Sequence, residues 1–164
     1  MAAKLPAAVQ EYQIKAVFLY NFVRFVDWPT RTFAAAHTPL VIGVLGADPF
    51  GGALDDAVRG ESVNGHPLAV QRFRRVEDVV DCAMLFISRS EAGRLESILV
   101  ALRHRSILTV SDAENFARRG GMIRFVNENN KVRLRINVGA AREAGLTISS
   151  KLLRPAEIVT GPQD

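Results

Sequence analysis

Cysteine is almost absent: Cys82 is the single one in 164 residues. No internal disulfide can form, so stability has to come from a packed core. Cys82 stands in "DCAMLFIS", at the mouth of an apolar run, and reads as a small buried hydrophobe rather than a nucleophile. No segment approaches the roughly eighteen unbroken apolar residues of a membrane span. Neither G-x-S-x-G nor G-x-G-x-x-G occurs, and no pair of carboxylates stands out. His37, His66 and His104 are scattered, and neither they nor Cys82 show metal-ligand spacing. No catalytic, metal or cofactor constellation is thus visible in the residue pattern.

What is present is an ordinary globular composition, 48% hydrophobic and 23% charged, with a net charge of +4 dominated by arginine. A basic balance permits an anionic partner without requiring one. Lys131, Arg133 and Arg135 alternate with Val132, Leu134 and Ile136, giving a strand one basic and one apolar face. Nucleic-acid binding is not expected, because Phe73 and Phe125 are few and fit a core better than a stacking platform.

Along the chain, strands and helices alternate. Gln10 to Asp27 reads as a helix ended by Trp28-Pro29, since the residue before proline avoids helical backbone. Continuous apolar runs at Leu40–Leu45 and Ala83–Ser88 read as strands buried on both faces. Further strands are expected at Leu68–Phe73 and Ile107–Val110. Helices are expected from Asp48-Pro49 to Val58, from Glu91 to Leu102, and in a short piece capped by Ser111 and Asp112 and closed by Gly120. "GMIRFV" and "VRLRINV" flank Asn127–Asn130 as an antiparallel hairpin. The expected fold is α/β: one domain over residues 1–164, a three-layer sandwich of mostly parallel sheet with a C-terminal antiparallel hairpin and helices on both faces.

Two places invite function. Gly46 to Gly52 follows a strand and resembles a phosphate loop, but Gly52 and Ala53 replace the required Lys and Ser/Thr. The carboxyl ends of the strands form the usual ligand crevice of open α/β sheets, which places Asp48, Phe50 and Asp112 beside a small molecule. The other place is the first helix. On a helical wheel, Gln13, Tyr20, Arg24 and Asp27 share a narrow polar ridge. Ile14, Phe18, Leu19, Phe22, Val23, Phe25 and Val26 spread over about half the circumference. That arc is wider than one sheet face usually covers, so the ridge and its neighbour Trp28 are read as a partner or dimer interface.

The stretch "YQIKAVFLYNFVRFVDWP" resembles the N-terminal signature of the YfiR family. The likeness continues through "VIGVLGADPFG", "CAMLFIS" and the long segment from Leu108 to about Arg154. The resemblance implies a periplasmic, non-enzymatic inhibitor, seen here as a mature chain without its signal peptide. It would restrain an inner-membrane diguanylate cyclase through that enzyme's periplasmic region, lowering cyclic di-GMP and biofilm formation. An outer-membrane lipoprotein would sequester it, and it would form a homodimer. The alternative is a small-molecule-sensing periplasmic module acting on another membrane receptor. Some relatives carry cysteine pairs; with Cys82 alone, redox switching through an internal disulfide is excluded here.

Overall fold

The computed structural model describes residues 6–160. Its centre is an eight-stranded sheet. In chain order the strands are β2 (Leu40–Leu45), β3 (Ser62–Val63), β4 (His66–Phe73), β5 (Met84–Ile87), β6 (Leu108–Ser111), β7 (Ile123–Glu128), β8 (Lys131–Ile136) and β10 (Glu157–Ile158). Across the sheet they run β10-β8-β7-β6-β5-β2-β4-β3. Pairing is parallel except for the β7–β8 and β3–β4 hairpins. Each hairpin turns on two residues, Asn129-Asn130 and Asn64-Gly65, all with positive φ. That is the backbone that matches strand twist, and Asn and Gly tolerate it best. A separate two-stranded ribbon pairs β1 (Val26–Asp27) with β9 (Thr147–Ile148).

Alternation along the parallel strands feeds two cores. Leu40, Ile42, Val44, Met84 and Phe86 face one side, with buried residues of α1 (Ala7–Phe25), α2 (Ala53–Val58), α4 (Val138–Glu143) and α5 (Ser150–Leu153). Val41, Leu45, Leu85 and Ile87 face the other side, with Leu95 and Ile98 of α3 (Leu95–Ala101) and with Phe116. Apolar runs with no polar alternation thus become central strands covered on both faces. The expected three-layer α/β sandwich, with its late hairpin, is what the chain forms.

Three local expectations shift. The helix expected at Asp48-Pro49 begins only at Ala53, because Gly51 has a φ of +57 and Asp48 turns its carboxylate onto the Phe50 N–H. The helix expected from Glu91 starts as a 3-10 turn over Arg89–Arg94, with Ser88 as its cap. Ser111 accepts from the Ala113 N–H as a cap would, but the segment to Gly120 stays a run of turns. Asn115 there has a left-handed φ of 59, which no α-helix continues through.

Candidate functional site

The first helix is cut differently from its hydropathy. Its buried residues are Lys15, Ala16, Leu19, Phe22 and Val23. One residue of the expected apolar arc lies outside, Ile14 at 48% exposed, and Val17, which the arc did not include, is 53% exposed. The helix is rotated toward Ala16, with a lysine at the middle of its inner face. Charged side chains are almost never buried unpaired.

Lys15 is not unpaired. Its side chain and that of Asp112 are each 1% exposed, and Nζ donates to Asp112 Oδ2 at 2.9 Å. It also donates to Glu11 Oε2 at 2.6 Å, one helical turn back. The ammonium stands 4.5 Å from the Tyr12 ring centroid and 5.6 Å from that of Phe125, within cation–π range. Tyr12 Oη donates to the same Asp112 oxygen, and Asn127 Nδ2 donates to Glu11 Oε1. Arg89 Nε lies 3.2 Å from Asp112 Oδ1 but without hydrogen-bond alignment, leaving that oxygen unpartnered. Burial, reinforced by the Asp112 hydrogen bond, raises the Tyr12 pKa well above the ordinary tyrosine value. The network ties α1 to the carboxyl end of β6 and to β7. Sequence reasoning missed it because hydropathy counts lysine as an outward residue. The available signal was positional: on the wheel Lys15 falls between Phe22 and Leu19, with Glu11 one turn before it.

This closure occupies the strand-end crevice. Phe50 is buried and packs edge-on against Tyr12, centroids 5.4 Å apart, and against Phe86 at 4.8 Å. Phe50 and Asp112 therefore meet on two sides of Tyr12. Asp48 stands apart: its Oδ2 accepts from Arg72 Nε at 2.7 Å, and Arg72 also binds Asp55, whose pKa that hydrogen bond lowers.

The outer face of α1 carries the expected ridge. Arg24 is exposed and lies over the Tyr20 and Phe25 rings, 5.7 and 5.3 Å from their centroids. The half-buried Tyr20 donates from its hydroxyl to Glu61 Oε2 at 2.9 Å. Exposed Val17 and Ile14 lie about one and two turns N-terminal of Tyr20. Asp27 is not helical: the chain is already extended at Val26, and Asp27 pairs with Thr147 in the small ribbon. Trp28 Nε1 donates to the Ala83 carbonyl at 2.8 Å, and the ring walls a cleft of about 440 Å³ beside Phe33 and His66. Tyr20 and Arg24 thus form one patch with Ile14 and Val17, while Asp27 and Trp28 sit at the helix exit.

A second cleft, of about 700 Å³, opens beyond the loop that follows Trp28, at the amino ends of β2, β5 and β6. Cys82 lies in its wall, 5% exposed, with Sγ donating to the Met84 carbonyl at 2.9 Å. Burial pushes its thiol up to about 12, so it stays protonated and unreactive. Among the described residues, no group of three or more His, Cys, Asp or Glu could hold a metal ion. Among the described residues, no helix is long and apolar enough to cross a membrane.

The chain is thus a mostly parallel α/β domain whose strand-end crevice is closed by its own first helix and whose outer helix face stays partly apolar. The sequence pattern of the YfiR/HmsC-like family matches residues 12–157, and the chain belongs to that family. It is a regulatory rather than a catalytic family, periplasmic, and associated with diguanylate cyclase control. No curated protein matches the chain.

Proposed function

We propose that this chain is a single YfiR-like domain, spanning residues 1–164, that acts as a periplasmic repressor of an inner-membrane diguanylate cyclase. It binds the cyclase's periplasmic region in the state that keeps the catalytic domains apart, lowering cyclic di-GMP and biofilm formation. The bias it imposes is limited by its differential affinity for the two cyclase states. An outer-membrane lipoprotein that sequesters it would relieve the repression, and a homodimer is the working unit.

One observation carries the choice of surface. The family signature folds into a helix that leaves Ile14 and Val17 about half exposed beside Arg24 and Tyr20. A surface apolar strip flanked by an arginine and an aromatic has the composition of an interface anchor. Tyr20, Arg24, Asp27 and Trp28 are assigned to it, with Ile14 and Val17 at its N-terminal end.

The test is a titration of this protein against the isolated periplasmic region of a cognate cyclase. Binding in the micromolar range or tighter is expected, and none at roughly 50 μM would refute the reading. Val17→Asp and Arg24→Glu should each weaken binding about tenfold or more. Both side chains are exposed, so melting temperatures should stay within about 2 °C. A large drop in melting temperature with unchanged affinity would make these residues structural.

A further inference from the structure

Doubly wound sheets usually take ligands at the carboxyl edge of the strands. Here that edge is filled by Phe50, Tyr12 and the Lys15–Asp112 pair. The larger open space lies at the opposite edge, in the cleft of about 700 Å³. That size falls within the roughly 300–1,000 Å³ of small-molecule sites.

Its lining is chemically specific. Arg31, Thr32 and Phe33 come from the loop after the first helix; His104, Arg105 and Ile107 come from the segment before β6. Val41 and Ile107 are buried apolar residues of the wall. Arg31 and His104 make no hydrogen bond or ion pair with any described residue. Arg105 Nη2 donates to the Val79 carbonyl at 2.7 Å, which leaves the rest of its guanidinium without a partner. Asp81 is the one carboxylate lining the cleft, against two guanidiniums and an imidazole.

Guanidiniums without a carboxylate partner around an apolar wall are matched by a ligand with the same division. We infer that this cleft binds a small organic anion with an apolar body. Its carboxylate or sulfonate is held by Arg31 and Arg105. Its apolar body lies against Phe33 and Ile107. A planar guanidinium suits a two-oxygen anion because it offers two parallel N–H donors. This goes beyond the repressor reading and does not depend on it.

Octanoate is the probe, with 1-octanol as its uncharged counterpart at equal ionic strength. Calorimetric titration should give saturable octanoate binding at millimolar concentrations or below, and octanol should bind at least about tenfold more weakly. Arg31→Gln should cost about tenfold in octanoate affinity, with Arg31→Lys intermediate. Arg31 is exposed and unpaired, so neither variant should alter the melting temperature. Arg59→Gln, at an exposed helix end outside the cleft lining, should bind like the wild type. Amide chemical-shift changes should map to residues 31–33 and 104–107. No octanoate binding up to about 10 mM, equal binding of octanol, unchanged affinity in Arg31→Gln, or shifts confined to other surfaces would each overturn the inference.

Discussion

Replacing Lys15 by Met removes a charge and keeps most of the aliphatic stem, so its effect isolates the ion pair. Asp112, with a side chain 1% exposed, would keep the Tyr12 hydroxyl and the poorly aligned Arg89 but lose its one direct ammonium. Glu11, whose side chain is 23% exposed, would lose the same partner. Breaking a buried pair from one side strands a desolvated carboxylate, which costs about 3–5 kcal/mol. In a domain of this length each kcal/mol moves the midpoint by about 2–4 °C, so a drop on the order of 10 °C is expected. Urea unfolding should show a lower midpoint with an unchanged slope, the mark of altered stability rather than altered compactness.

The sharper observable is the double variant Lys15→Met with Asp112→Asn. Asparagine can still accept from the Tyr12 hydroxyl but carries no charge to strand. The double variant should recover at least about 1.5 kcal/mol of the loss, because contacting residues couple by about 0.5–3 kcal/mol. The cycle decides between a pair that matters by its charges and one that merely fills space. Single losses that add within about 0.5 kcal/mol would refute the reasoning, as would a Lys15→Met cost below about 1 kcal/mol.

Tyr12→Phe removes a donor to the buried Asp112 carboxylate and should cost about 1.5–3 kcal/mol at neutral pH. Because the Tyr12 pKa is raised in the folded state, its contribution is full below the unfolded value of 10.0 and is lost as pH rises past it. The stability gap between wild type and Tyr12→Phe should therefore narrow above about pH 10 in denaturant titrations. Cys82 should resist alkylation by iodoacetamide at pH 8 in the native protein and label fully in urea, as read by mass spectrometry; rapid native labelling would contradict its burial. A methyl group at Gly121 would overlap the Phe116 ring, whereas one at Gly93 would meet nothing. Gly121→Ala should destabilise by about 1–3 kcal/mol and Gly93→Ala should not, as calorimetry would show.

Different parts of the structure were legible in the sequence to different depths, for physical reasons. The parallel strands were readable because a strand covered on both faces has no polar positions: Leu40 to Leu45 and Met84 to Ile87 are buried throughout. The β7–β8 hairpin was readable because Asn129-Asn130 can take left-handed backbone at little cost. Helix starts were misplaced where a polar side chain had two uses. Asp48 looks like a helix cap, yet its carboxylate serves the Phe50 N–H and Arg72. Asp112 looks like one too, yet it turns inward to Lys15. Local pattern cannot separate these uses, since the competing partners lie 24 and 97 residues away.

The first helix shows most clearly what hydropathy leaves out. Its apolar arc is wider than its buried face, and the wheel alone centres that arc near Phe18 and Phe22. The ion pair sets the actual rotation. Turning the helix to place Ile14 and Val17 inside would carry Lys15 outward and leave Asp112 buried without its ammonium. Keeping the pair instead leaves two β-branched apolar side chains about half exposed. Each is already about half buried, so completing their burial would gain roughly 1.5–3 kcal/mol for the two together, at or below the about 3–5 kcal/mol of stranding the carboxylate. The surplus apolar surface of the signature is thus a consequence of fixing Lys15 inside. It leaves Ile14 and Val17 in the strip with Arg24 and Tyr20 through which repression is proposed to act.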